Sequence, residues 1–303
     1  MKKSRKTMAV FVAILVIAGL SGYGAFRAVG ADDGISQVLV PVASGEKVKE
    51  NDSAIIDYSN ASQGYVMVQY RKETEEKLKA QVKTPEGLTY TYTITPKEWA
   101  AFPLTEGDGK YKVTVYRNVS GNSYATVCSE SIEVRLEDAM LPFLTANQYV
   151  NYTEETKCIK EAEKVCENAK TELEKVEAVY TWTMKKFSYS KIKARTVESG
   201  YVPDLDAVFK ARKGICFDYA STMVAMLRSR GVPTKLVIGY SGEVYHAWLT
   251  VYTEESGWVS GVVYFDGEEW SLMDPTFADT AKSEKEFKAY IGDATNYIQK
   301  YVY

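Results

Sequence analysis

Histidine is almost absent from this 303-residue chain, in which His246 is the only one. Transition-metal sites in proteins are usually built from several imidazoles or from closely spaced cysteines, and the four cysteines form no Cys-x-x-Cys pair. A glycine-rich loop of the kind that cradles phosphates is also missing. We therefore expect no metal site and no cofactor, and any imidazole chemistry has to depend on one residue.

An excess of positive charge is absent as well. The formal net charge is −3, and residues 1–31 contain five of the basic residues and none of the acidic ones. The remaining chain has 32 Lys and Arg against 40 Asp and Glu, a net charge of −8. Such a surface does not suit nucleic acid or an anionic membrane. We expect no nucleic-acid partner, and contact with a membrane only through the N-terminal segment if it stays uncleaved.

A hydrophobic run stands at the N-terminus. Basic residues crowd positions 2–6, ahead of an apolar run from Met8 to Leu20, and the small residues at 29–31 fit a cleavage site. This is the layout of a secretory signal peptide. Counted from Thr7 to Phe26 the stretch has 20 residues, enough to span a bilayer. The sequence predicts a signal peptide or membrane anchor at 1–31, with export and cleavage favoured, and an extracellular or cell-surface location.

The cysteines are poorly placed for disulfides. Cys158 and Cys166 fall in one predicted helix, about 12 Å apart at a rise of about 1.5 Å per residue. A disulfide needs Cα atoms within about 7 Å, so these two cannot bridge each other there. Any disulfide would have to include Cys128, and otherwise the cysteines are buried free thiols.

Residues 35–137 have the pattern of an all-β domain. Alternating or β-branched runs, separated by turn residues, occur at 65–70, 79–84, 88–94, 110–117 and 124–136. About five to seven short strands over about 100 residues are typical of a small immunoglobulin-like sandwich. Its many tyrosines are predicted to pack on half-buried strand faces, although a binding face for carbohydrate or protein is the alternative. We expect no catalytic residue in this region, which has no histidine.

The pattern changes near residue 138. Helices are predicted at 154–169, at 171–186 and at 216–230, and Thr171 with Glu174 forms a capping box for the second of them. Strands are predicted to follow at 234–240, 247–253, 258–266 and 270–273. Asp266-Gly267 is predicted to form the hairpin turn between the last two. Helices followed by an antiparallel sheet indicate an α+β fold for residues 138–303.

Three residues stand in stretches suited to thiol catalysis, namely Cys216, His246 and Asp274. Cys216 follows Gly214 at a predicted helix start, where partial positive charge and free N–H groups stabilise a thiolate and an oxyanion. A thiol nucleophile also needs a base, and the base needs a group that fixes its tautomer. Each residue alone also fits a structural role, as a small buried thiol, a core imidazole or a turn residue.

The stretches that contain these residues resemble the transglutaminase-like superfamily of papain-type thiol enzymes. The matching motifs include Gly214-Ile215-Cys216-Phe217-Asp218-Tyr219-Ala220, His246-Ala247-Trp248 and Asp274-Pro275-Thr276. The resemblance covers roughly the last half of the chain. It implies a papain-like transglutaminase core, with helices packed on an antiparallel sheet. It also implies that Cys216 is the nucleophile, His246 the base and Asp274 the orienting carboxylate.

The resemblance implies an exported acyl-transfer enzyme. The cysteine would form a thioester with a carboxamide or peptide carbonyl, and an amine or water would resolve it. A cysteine peptidase or amidase acting on cell-surface or wall peptides is the alternative, and a non-catalytic surface binding or scaffold protein is another. We expect a protein or peptide substrate at the cell surface. Candidates for a second oxyanion donor are Trp182, Tyr189 and Tyr201, since each has an N–H or O–H group.

Overall fold

The computed structural model describes residues 38–259, 262–265, 270–273 and 297–303. The predicted N-terminal segment at 1–31, the turn at 266–267 and Asp274 lie outside these residues. Within the described ranges, no helix is long and apolar enough to cross a membrane.

The N-terminal part of the described chain is all-β. Its eight strands are β1 (Val48–Glu50), β2 (Ala54–Asp57), β3 (Tyr65–Tyr70), β4 (Leu78–Lys83), β5 (Thr89–Thr93), β6 (Trp99–Pro103), β7 (Gly109–Ser120) and β8 (Ser123–Val134). They form two antiparallel sheets of four strands, ordered β1-β2-β3-β6 and β5-β4-β7-β8. The five predicted runs correspond to β3, β4, β5, β7 and β8. The immunoglobulin-like topology stays a prediction.

Alternation along the strands gives the all-β part its core. In β4 the side chains of Leu78, Ala80 and Val82 are buried, while the residues between them are partly exposed. In β5 the buried positions are Tyr90 and Tyr92, as the tyrosine prediction requires. Because one face of each strand is buried, a slip of one residue would expose this set, so the register is strongly specified.

The rest of the described chain contains helices followed by an antiparallel sheet. The helices are α1 (Lys157–Val165), α2 (Glu172–Lys186), α3 (Lys191–Thr196), α4 (Leu205–Ala211) and α5 (Cys216–Arg228). The strands are β9 (Ser188–Tyr189), β10 (Lys213–Gly214), β11 (Thr234–Ser241), β12 (Val244–Thr253), β13 (Gly257–Val259), β14 (Val262–Phe265), β15 (Trp270–Met273) and β16 (Tyr297–Val302). The main sheet has the order β13-β12-β11-β16, and β9 and β10 form a short parallel pair. The predicted α+β fold class is confirmed.

Local signals locate most of these elements, with some differences in extent. The capping box is present, because the Thr171 hydroxyl accepts from the Glu174 N–H at 3.2 Å and the Glu174 carboxylate accepts from the Thr171 N–H at 3.0 Å. The helix predicted at 154–169 is shorter, since Thr153 and Thr156 form a turn before α1 begins. The strand predicted at 258–266 is two strands, β13 and β14.

Helix α5 is the central element of the α+β part. Its residues from Asp218 to Arg228 are all buried, and Met223, Met226 and Leu227 belong to the same core cluster as Leu236 of β11 and Leu249 of β12. Gly231 follows with a φ of +76°, a conformation that glycine adopts without strain and that ends many helices. The helix is therefore held on all sides.

Arg228 at the end of α5 is 1% exposed and donates to three backbone carbonyls. The acceptors are Thr234 at 2.9 Å, Thr145 at 2.7 Å and Tyr303 at 2.8 Å. A buried guanidinium is stable only when its N–H groups find acceptors. The helix is thus fixed both to the linker at 135–156, between β8 and α1, and to Tyr303 just after β16.

The all-β and α+β parts share one hydrophobic core. The ring of Tyr92 in β5 stacks on Phe102 at 4.2 Å between centroids and meets Tyr303 edge-on at 5.9 Å. Tyr149 in the linker contacts Tyr303 at 4.7 Å and Phe217 of α5 at 5.4 Å. The described residues from 38 onward therefore form one compact unit. The boundary between domains at 137 and 138 stays a prediction.

All four cysteines are free thiols, and three of them are buried. Burial raises the pKa of Cys158 to about 12 and also raises the pKa values of Cys128 and Cys166. These three thiols therefore stay protonated at neutral pH and react slowly. Cys216 is the partly exposed one.

Candidate active site

Cys216 is the first residue of α5, as the sequence predicts. Ile215 before it is extended, with φ −102° and ψ 177°, and hydrogen bonding within the helix begins where the Tyr219 N–H donates to the Ile215 carbonyl at 3.1 Å. The N–H groups of residues 216–218 precede that bond, at the positive end of the helix. Cys216 therefore begins a helix whose first backbone donors are of the kind that stabilise a thiolate or an oxyanion.

Gly214 is required for space. Its backbone pairs with Tyr189 of β9, and a Cβ at residue 214 would lie 2.5 Å from the Cβ of Asp218. Real Cβ atoms do not approach so closely, so any other residue would push Asp218 away from the helix start. The Gly-x-Cys-x-Asp pattern thus has a steric cause.

Asp218 is fully buried two residues after Cys216, and its carboxylate has three partners. It accepts from the Ile215 N–H at 2.8 Å and from the Tyr201 hydroxyl at 2.6 Å, and it pairs with the Lys193 ammonium at 2.7 Å. Lys193 also donates to the Tyr201 hydroxyl at 2.6 Å. Burial, followed by the hydrogen bond to Asp218, raises the pKa of Tyr201. This network fixes the start of α5 to residues 193–201.

Lys193→Met should lower the free energy of unfolding by about 3 kcal/mol, because the buried Asp218 carboxylate would lose its counter-ion. That loss corresponds to a fall in melting temperature of about 6–12 °C. The matched control is Lys191→Met, which alters an exposed lysine on the same helix and should change stability by less than about 0.5 kcal/mol. Thermal unfolding followed by circular dichroism measures both, and equal melting temperatures would show that the ion pair contributes nothing.

His246 lies on β12, pairs with Gly239 of β11 in register and is 6% exposed. Its ring stacks near Trp248, with centroids 6.2 Å apart and planes at 21°. Alternation puts these two rings on one face of the strand, while Leu249 and Val251 on the other face share the core cluster with α5. Helix α5 packs against β12, so the strand that carries the only imidazole adjoins the helix that begins with Cys216.

The complete triad stays a prediction. The structure locates Cys216 at the start of α5 and His246 on β12, whereas Asp274 lies outside the described residues. The action of the imidazole on the thiol is therefore part of the proposal below.

The three candidates for a second oxyanion donor are in different environments. The Trp182 indole N–H donates to Glu161 at 3.0 Å, and its ring stacks on Phe209. Tyr201 belongs to the Asp218 network at the start of α5. Tyr189 is half-buried on β9, beside Gly214. The Trp182 N–H and the Tyr201 O–H are thus both donated to carboxylates, and Tyr189 flanks the segment that leads to Cys216.

Sequence comparison finds a family for the segment that contains Cys216 and His246. Residues 160–261 match the model of the Transglutaminase-like superfamily. Two curated relatives are the uncharacterized protein YebA of Bacillus subtilis (strain 168), 34% identical over 71 residues, and the protein-glutamine gamma-glutamyltransferase of Pseudomonas aeruginosa, 33% identical over 69 residues. Each match covers 18% of this chain and 10% of the relative. The chain therefore matches only about a tenth of the length of these relatives.

Solved structures give distant matches. The periplasmic domain of TgpA from Pseudomonas aeruginosa is 16% identical, with a TM-score of 0.36 and coverage of 81% of this chain and 79% of that chain. Red sea bream transglutaminase is 11% identical, with a TM-score of 0.31 and coverage of 72% of this chain and 48% of that chain.

Proposed function

We propose that the chain is an exported acyl-transfer enzyme of the transglutaminase-like superfamily with Cys216 as its nucleophile, and the match of residues 160–261 to that family's model supports this. The observation that carries this proposal is the position of Cys216 as the partly exposed first residue of α5. Export is supported by the basic and apolar pattern of residues 1–31. The substrate would be a protein or peptide at the cell surface.

The chemistry follows from these residues. The Cys216 thiolate attacks the carbon of a carboxamide or peptide carbonyl, and the backbone N–H groups at the start of α5 bind the oxyanion that forms. His246, which has taken the thiol proton, gives it to the leaving nitrogen as the carbon–nitrogen bond breaks. A thioester and a free amine or ammonia result. Asp274 would hold the imidazole in the required tautomer.

The second half of the reaction determines the product. An acceptor amine attacks the thioester and gives a proton to His246, the carbon–sulfur bond breaks, and an isopeptide bond remains. If water attacks instead, the product is a carboxylate and the enzyme is a peptidase or amidase. The triad is the same in both cases, and the outcome depends on whether the site admits an amine and excludes water.

Incubation of the full chain with a glutamine-rich protein and a fluorescent primary amine tests the proposal. We expect fluorescence to become covalently attached to the protein in the wild type and in Cys166→Ala, the matched control, but not in Cys216→Ala. Electrophoresis of the same samples detects peptide fragments, which would favour the peptidase instead. Equal labelling or equal cleavage by wild type and Cys216→Ala would refute a role for this thiol.

A further inference from the structure

A group of exposed basic side chains lies around the segment that leads to Cys216. We call it the basic rim, and it consists of Lys185, Lys186, Lys191, Arg195 and Lys213. Residues 185–195 contain five basic residues and no acidic one. The rim is therefore an exception in a chain whose net charge beyond residue 31 is −8.

The five side chains of the rim have no carboxylate within ion-pair distance among the described residues. Neighbouring cations are engaged, since Lys193 pairs with Asp218 and the Arg212 guanidinium lies 3.6 Å from the centroid of the Phe209 ring. Elsewhere on the surface, cations form ion pairs with carboxylates, as Arg117 does with Glu76. The charge of the rim is thus not neutralised by any carboxylate in the part of the chain that the structure describes.

Local helix stability accounts for only part of the rim. Lys185 and Lys186 occupy the last turn of α2, where the helix dipole favours cations. Lys191, in contrast, is the first residue of α3, a helix with no acidic residue in its first turn. A cation at that end of a helix is unfavourable by a few tenths of a kcal/mol. The helix dipole therefore does not account for Lys191.

The rim is close to the nucleophile. Strand β9 carries the rim residues on either side of it and pairs with β10, through the Ser188 N–H to the Arg212 carbonyl at 3.0 Å and the Ser190 N–H to the Gly214 carbonyl at 2.7 Å. Cys216 follows Gly214 by two residues, and paired strands lie about 4.8 Å apart. Strand β9, from which the rim residues continue in both directions, is therefore within about 10 Å of Cys216, comparable with the screening length of about 8 Å at physiological ionic strength.

We propose that the basic rim binds an acidic polypeptide segment adjoining the group that reacts at Cys216. This inference rests on the proposed function and specifies its substrate class. A polypeptide is favoured over a phosphate polymer because two exposed apolar side chains, Ile192 at 75% and Val197 at 37% exposure, lie on and just after α3. Such side chains contact apolar residues of an acidic peptide and have no complement on a phosphate backbone.

The binding test uses the full chain with Cys216→Ala, so that no reaction takes place. The probe is a fluorescent peptide containing glutamates, leucines and one glutamine, and its anisotropy reports binding. The triple variant Lys186→Glu, Lys191→Glu, Arg195→Glu should bind it about tenfold more weakly, since exposed charge pairs contribute about 0.2–1 kcal/mol each. The control Lys83→Glu, Lys110→Glu, Lys112→Glu makes the same change of charge on exposed lysines of the all-β part and should bind normally.

Two results would overturn the proposal. One is equal binding by the rim variant and the control variant. The other is tighter binding of a single-stranded oligonucleotide of the same charge, which would assign the rim to phosphates. The enzyme proposal and the rim proposal can be refuted independently of each other. Peptide binding is measured in the Cys216→Ala protein, and amine incorporation is measured in the wild type. Loss of binding in the rim variant, when the wild type neither incorporates amine nor cleaves the substrate, would refute the enzyme and leave the rim as a peptide site.

Discussion

Replacing His246 by alanine should slow the alkylation of Cys216 by iodoacetamide at least about tenfold near pH 6.5. The thiolate is the form that reacts, and the variant lacks the base that takes the thiol proton. The buried Cys128, Cys158 and Cys166 do not compete, since burial raises their pKa values. Mass spectrometry of the Cys216 peptide gives the rate, and turnover of any substrate should fall by about 10²–10⁴.

A matched control for this experiment is Tyr245→Ala, because Tyr245 precedes His246 on β12 and is 59% exposed. Its removal leaves the imidazole in place and should leave the alkylation rate near that of the wild type. Circular dichroism must show that both variants are folded. If His246→Ala and Tyr245→Ala are alkylated at the same rate as the wild type, the imidazole does not activate Cys216 and the triad is wrong.

The folded protein should unfold within one to two pH units above about pH 10. Tyrosine in an unfolded chain ionises near pH 10, whereas burial raises the pKa of Tyr149 to about 12. Burial also raises the pKa values of Tyr90, Tyr92, Tyr111, Tyr152 and Tyr303. Above pH 10 the unfolded chain loses protons that the folded chain retains, so each tyrosine lowers the free energy of unfolding by about 1.4 kcal/mol per pH unit.

The combined effect of the six tyrosines determines whether the free energy of unfolding rises or falls above pH 10. Six of them together remove up to about 8 kcal/mol per pH unit, against a typical total stability of about 5–15 kcal/mol. Arg228 acts in the opposite sense, because burial lowers its pKa to about 10 and the unfolded chain would then hold the extra proton. One arginine is outweighed by six tyrosines. Tyrosinate absorbance and far-ultraviolet circular dichroism should therefore change together in one steep transition. A gradual rise in absorbance near pH 10 with unchanged dichroism would contradict this.

What the sequence predicts correctly is local in the chain. The capping box of α2, the start of α5 at Cys216 and the glycine after its end all depend on residues within a few positions of one another. Strand β2 was not predicted, because all four of its residues are buried and the alternation that marks a strand is missing. From the sequence, Asp218 in the first turn of α5 suggests only a favourable interaction with the helix dipole, and no buried network.

The partners of Asp218 could not be predicted, because they are distant from it along the chain. Lys193 and Tyr201 lie 25 and 17 positions before it, on a short helix and a loop whose approach to α5 depends on the β9–β10 pair. A strand pair of two residues each leaves no periodic signal in the sequence. One residue in the sequence did hint that Asp218 is buried. Gly214 has to be small because the Asp218 side chain occupies the space beside it.

Arg228 has a consequence for the kinetics of folding. Two of its three carbonyl acceptors are 83 and 75 residues away along the chain, one on each side, and only Thr234 is close. Contacts over such separations form late, since the entropy of closing long loops has to be overcome first. The C-terminal end of α5 therefore gains its full set of hydrogen bonds only after both distant segments have docked. A chain stalled before that stage would have an unsatisfied guanidinium at one end of α5 and, at the other end, a Cys216 thiol whose surroundings are not yet fixed. We expect the reactivity of Cys216 to appear in the slowest phase of refolding.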